Sequence, residues 1–148
     1  MIITAAAGFL IAVLWFDLMF DVQALRHRRS PALPEDVLDS ISRYYRRVTT
    51  TASPMGRLVA VVMLALLAAL VMQAVRGDAP VWVSAISLPA AGLAIGLAMF
   101  HAFGAARRLG ARSDSAEDQS RLALSILRDH VICLLAMAGL LATQLVGG

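Results

Sequence analysis

The sequence predicts an all-α protein, an integral membrane four-helix bundle with an amphipathic cytoplasmic helix between spans one and two. Three observations predict it. Of 148 residues, 59% are hydrophobic and only 16% charged, with a mean hydropathy of +0.75, which is too apolar for a soluble domain of this size. Apolar runs at about residues 2–20, 58–75, 81–100 and 130–146 each approach the ~20 residues that a helix needs to cross ~30 Å of hydrocarbon. The 13 basic residues are all arginine, and they gather in the first and third connections. Residues 1–148 therefore read as one four-span domain.

The arginines also orient the chain. Arg26, Arg28, Arg29, Arg43, Arg46, Arg47 and Arg57 separate the first two runs; Arg107, Arg108, Arg112, Arg121 and Arg128 separate the last two; Arg76 stands alone between the middle two. By the positive-inside rule both long connections are cytoplasmic and both termini lie outside, in what is expected to be the inner membrane of a bacterium. The formal net charge of +3 then reports topology. Nucleic acid is not an expected partner, because the arginines hug span ends and no soluble domain uses them. The first run is not expected to be a signal peptide, since no basic region precedes it and acidic residues follow it directly.

Span one carries Ala5-Ala6-Ala7-Gly8, small residues that let a neighbouring helix approach, and closes on Trp15-Phe16-Asp17-Leu18-Met19-Phe20-Asp21. Asp17 and Asp21 lie one turn apart at the membrane edge, where an unreceived carboxylate is costly. Ser30-Pro31-Ala32-Leu33-Pro34 breaks the helix. A helix over about 35–49 follows. Its Val37, Leu38, Ile41, Tyr44, Tyr45 and Val48 share a face opposite Arg43, Arg46 and Arg47. Periodicity alone allows it to lie in the headgroups with its tyrosines immersed and its arginines facing anionic lipid, or to pack under the bundle as a lid.

Span two carries no charge within the hydrocarbon, and Gly77-Asp78-Ala79-Pro80 is a tight turn that makes spans two and three antiparallel neighbours. Span three holds Gly92-Leu93-Ala94-Ile95-Gly96, a GxxxG pattern for tight packing within the chain or between copies, so a homo-oligomer through Gly92 and Gly96 is one expected partner besides the lipid bilayer. A loop is expected from Gly104 to about Asp114. Ser115-Ala116-Glu117-Asp118 then reads as a helix start, leading through Arg128-Asp129-His130 into span four as a single rod of about 30 residues. Along that rod Asp129 is expected to look into the bundle and His130 toward lipid or a partner helix. Cys133, the only cysteine, reads as packing, and Thr143 and Gln144 as glue between helices.

Asp17, Asp21, His101, Asp129 and His130 all fall at one depth, the cytoplasmic interface. Carboxylates and imidazoles suit Zn, Mn or non-haem Fe, and equally an acid–base pair. The spacing matches no metal motif such as HExxH or ExxH, so no metal ligand set is assigned and no cofactor is named by the sequence. A structural alternative pairs Asp17 or Asp129 with a loop arginine, such as Arg46, Arg47, Arg107 or Arg108, to close the bundle base.

The preferred functional reading is a membrane protein that binds or transforms a hydrophobic small molecule at a polar Asp/His site on the cytoplasmic membrane interface. Asp17 or Asp129 would accept a proton and His101 would be its acid–base partner, with Asp21, His130 and the arginines Arg46, Arg47 and Arg107 holding the substrate. Two other readings stay open: a proton-coupled small exporter acting as a dimer, and a scaffold subunit of a membrane complex. The layout also resembles the anthrone-oxygenase-like family of small bacterial and fungal membrane proteins, through its four spans, basic helix before span two, polar end to span three and arginine-bearing opening to span four. That family tends to end span three in an Asn-x-Pro patch and to open span four with Trp and Asn or His. The matching places here read His101-Ala102-Phe103-Gly104 and Arg128-Asp129-His130, so the histidine of the span-four opening and Arg128 carry over. The resemblance implies an oxygenase acting on a hydrophobic substrate.

Overall fold

Each apolar run forms a helix, and three of the four helical rods run on past their apolar stretch at the arginine-rich end. The computed structural model describes residues 1–147, Ser53 through its backbone alone. The described residues are helical with no strand, and four stretches are long and apolar enough to cross a membrane.

α1 (Ile2–Asp21) passes directly into a tight 3-10 turn over Val22–His27. α2 (Glu35–Thr49) starts after Pro34 with Glu35 and Asp36 in its first turn, where carboxylates complement the free backbone N–H groups. α3 (Ser53–Arg76) begins earlier than the apolar run, because Pro54 suits a first turn, and ends at Gly77 with φ +69°. α4 (Val81–Leu97) continues through a π turn, Ala98–Ala102, into α5 (Phe103–Ala111). The loop expected from Gly104 is therefore helix as far as Ala111. Ala105, Ala106, Leu109 and Gly110 form a buried face there, and packing of that face overrides the polar composition. Arg112, at φ +55°, reverses the chain. α6 (Ala116–Gly147) is one rod of 32 residues, opened by Ser115, whose Oγ accepts from the Asp118 N–H at 3.2 Å.

Two apolar cores are stacked along these rods. The first joins α1, α3, α4 and α6 through Ala7, Leu10, Leu66, Ala91, Met137 and Leu140. The second, at the arginine-rich end, joins the 3-10 turn, α2, α5 and α6 through Ala24, Leu38, Ile41, Leu109, Ala123 and Ile126. Of the two placements open to α2, its packing is that of the lid: Leu38, Ile41 and Tyr45 are buried against the second core while Arg43, Arg46 and Arg47 stay exposed. The Pro-rich connection is tied down as well, since Ser120 Oγ accepts from the buried Leu33 N–H at 2.8 Å.

At the opposite end Gln73 and Gln144 exchange amide hydrogen bonds at 3.1 and 3.0 Å, and Gln144 also donates to Ser87 at 3.0 Å. This ties α3, α4 and α6, as expected of Gln144; Thr143 bonds only within its own helix. A Cβ added at Gly92 or Gly96 would meet nothing within 4 Å, so the GxxxG pattern is not used for close packing inside the chain. The close approach belongs to Gly110. A Cβ there would lie 2.8 Å from the Arg46 backbone nitrogen. Gly110→Ala should therefore force α2 and α5 apart and cost about 1–3 kcal/mol, read as a lower melting temperature in detergent, with Gly92→Ala, in open space, as the unaffected comparison.

Candidate functional site

The polar residues lie at the seam between the two cores on three rods, with α6 running through it in the direction opposite to the other two. Asp17 and Asp21 fall between Leu10 of the first core and Ala24 of the second; His101 falls between Ala94 and Ala105; Asp129 and His130 fall between Ile126 and Cys133. At ~1.5 Å per residue, Asp21 lies ~28 Å from the start of α1, His101 ~30 Å from the start of α4 and Asp129 ~27 Å from the end of α6. All three reach one level along the bundle, and the ~30 Å that separates it from the other end is what a bilayer's hydrocarbon measures.

At this seam the carboxylates are received by tyrosines and histidines. Asp21 is 1% exposed, and both of its oxygens are occupied: Tyr45 donates its hydroxyl to Oδ1 at 2.6 Å, and His130 Nδ1 bonds Oδ2 at 2.7 Å. Asp17, one turn earlier and half-buried, accepts the Tyr44 hydroxyl at 2.5 Å. The Tyr44 ring is held by stacking on Phe20, with centroids 4.0 Å apart and planes within 9°. The tyrosines thus point at α1 instead of entering the headgroups. His130, expected to face lipid or a partner helix, meets a helix: it is buried against Asp21, because the end of α1 supplies a carboxylate there.

A second pair faces it across α6. His101 Nδ1 bonds Asp129 Oδ2, while Arg128 donates to Asp129 Oδ1 from Nη2 at 3.1 Å and Nε at 3.3 Å. Asp129 is wholly buried, but the His101 side chain is 48% exposed. The π turn contributes here: it packs an extra residue into one turn, rotating His101 relative to the face that α4 sets. Met99, Phe100 and Phe103 beside it are exposed and apolar.

Arg46, Arg47 and Arg107 do not reach this seam. All three are exposed on α2 and α5, and neither Asp17 nor Asp129 pairs with any of them or with Arg108, whose partner is Asp114. Asp129 meets Arg128 instead, a residue that follows from adjacency alone. Sequence reasoning singled out the acids and histidines but missed Tyr44 and Tyr45 as their partners. The available signal was two adjacent tyrosines on a helix that must cross the end of α1. Among the described residues no three His, Cys, Asp or Glu side chains are grouped to hold a metal ion.

The tyrosines make the seam measurable. Burial and the neighbouring Asp21 carboxylate hold the Tyr45 phenol far above the ordinary tyrosine range, and burial and Asp17 do the same for Tyr44. They are the chain's only tyrosines. Because their folded values are raised, their stabilising contribution is complete below the unfolded value of ~10 and declines as pH rises above it. Alkaline titration in detergent should show no phenolate absorbance near pH ~10, its appearance coinciding with loss of helical circular dichroism. Tyr45→Phe leaves a fully buried carboxylate one donor short and should cost about 1–3 kcal/mol. Tyr44→Phe, beside the half-buried Asp17, should cost less, both read by thermal melting. No protein-family model, curated protein or solved structure matches this chain.

Proposed function

We propose that this membrane protein binds a hydrophobic small molecule drawn from the lipid and moves a proton on it, with His101 as the acid–base group and Asp129 as its positioning residue. The observation that carries this reading is the inequality of the two Asp–His pairs. Both carboxylates are fully buried, but the His130 side chain is 11% exposed and that of His101 is 48% exposed. The closed pair braces the helices; the open one offers an imidazole to something outside the chain.

The chemistry follows from the hydrogen bonds. A buried carboxylate on Nδ1 holds the neutral ring in the tautomer that carries its proton there, leaving Nε2 as a base. When Nε2 takes a proton, the imidazolium forms against Asp129 and is stabilised by it. Arg128, bound to the other Asp129 oxygen and 65% exposed, supplies positive charge where a substrate anion develops. It takes the role that the loop arginines Arg46, Arg47 and Arg107 were expected to fill. The apolar surround of Met99, Phe100 and Phe103 suits a substrate that partitions into lipid.

The arginine distribution supports placing this site on the cytoplasmic face of a bacterial inner membrane, with both termini outside. The likeness to anthrone-oxygenase-like proteins is compatible with it, since the two carried-over positions, Arg128 and His130, flank Asp129 in sequence.

Two experiments test the proposal. In detergent, diethyl pyrocarbonate should modify His101 and spare His130; equal modification of both would remove the distinction on which the reading rests. With a small molecule co-purified from the host membrane as substrate, His101→Ala and Asp129→Asn should each lower turnover by about 10²–10⁴-fold in protein whose helical circular dichroism is retained at the assay temperature, and Asp17→Asn tests the remaining acid. Unchanged turnover in both dyad variants would sink it, and pH-dependent flux in proteoliposomes would replace it with the exporter reading.

A further inference from the structure

Arg46 and Arg107 stand on a groove of their own between α2 and α5. On α2 its wall is one helical face, because Asp39, Ser42, Arg43, Arg46, Thr49 and Thr50 recur at i, i+3, i+4, i+7, i+10 and i+11. Two cavities of about 330 and 270 Å³ adjoin at Arg46, Gly110 and Ala111, which line both; Ser42 lines the first and Arg107 the second. Gly110 supplies a floor without a side chain, since the α2 backbone passes too close for a Cβ.

The charges in this groove are not balanced. Arg43 is paired with Asp39, and Arg112 with Glu35. Among the described residues Arg46 and Arg107 have no ion-pair partner; the Arg107 guanidinium rests 6.0 Å from the Phe103 ring centroid. Ser42 also lines the groove. It is 2% exposed, and its hydroxyl has no hydrogen-bond partner, a cost that a folded protein rarely leaves uncompensated. Arg46, on the boundary of the two cavities, thus has the Ser42 hydroxyl on one side and the Arg107 guanidinium on the other, and neither guanidinium has a carboxylate partner.

We infer that this groove binds a phosphate group, with Arg46 and Arg107 as its charge partners and Ser42 donating to one of its oxygens. A phosphate fits better than a carboxylate because its several oxygens, tetrahedrally arranged, can receive both guanidiniums and a hydroxyl together. The group comes either from a lipid headgroup or from a soluble phosphate ester. This inference is independent of the His101 chemistry.

The experiment uses the full chain in detergent micelles and native mass spectrometry. The probes are dioleoyl phosphatidic acid, its phosphate-free counterpart dioleoylglycerol, and inorganic pyrophosphate. Phosphatidic acid retained in preference to dioleoylglycerol, and not displaced by pyrophosphate, supports the site with a lipid as its source. Pyrophosphate bound, or displacing the lipid, supports it with a soluble source. Arg46→Gln and Arg107→Gln should each weaken retention about tenfold, and Ser42→Ala should weaken it further with the melting temperature unchanged. The double variant Arg26→Gln with Arg57→Gln removes twice the charge of either single variant from exposed positions elsewhere and should leave retention intact. Equal loss in that control, or no retention of either phosphate probe by the unaltered protein, overturns the inference.

Discussion

A carboxylate at the end of an apolar helix has to be received, and the fold is organised around how Asp21 is received. Water would hydrate it at no cost, but here it is closed off on all sides, so both oxygens need donors. Tyr45 and His130 supply them from two different helices. One side chain thereby fixes the end of α1 against α2 and α6 at once. Removing either donor leaves buried charge behind, which costs more than the net worth of the pair.

The seam that Asp21 anchors explains why the protein has two cores. A bundle that ended at the membrane edge would expose Asp21, Asp129 and His130 to headgroups and water, and they would need no partners. The rods continue instead, and the 3-10 turn, α2, α5 and the first turns of α6 build a second apolar cluster over them. The polar residues are sealed between the two. His101 escapes the seal because it stands on the outer side of α4, and that leaves its ring half open against a buried acid.

Most of the fold was legible because periodicity and run length are local. The four spans, the 35–49 helix, the capping Ser115 and the single rod of α6 all follow from residues near one another in sequence. The extent of α5 was not, because Phe103–Ala111 has a composition that a loop also tolerates, and only the Gly110 contact with α2 makes it a helix worth keeping. Depth along a rod is also local, so the sequence brought Asp17, Asp21, His101, Asp129 and His130 to one level. Azimuth is not. Which acid meets which histidine depends on how the rods are rotated against each other, and that is why His130 could be assigned to lipid or to a helix and the tyrosines to the headgroups or to a lid, with their carboxylate partners unnamed. The arginines were misplaced for a simpler reason. Charge attracts in principle over long distances, but Arg46 and Arg107 share a helical face with the α2–α5 groove and cannot turn toward α1.

The π turn at Ala98–Ala102 gives the third rod a property that the other rods lack. Each residue advances an α-helix by about 100°, so one extra residue in a turn resets the phase of everything after it. α4 presents Ala91 and Ala94 to the membrane core, and α5 presents Ala105, Ala106 and Leu109 to the second core, on separate angular schedules. The two halves of that rod are thus decoupled in phase while remaining continuous in backbone. His101 sits at the splice.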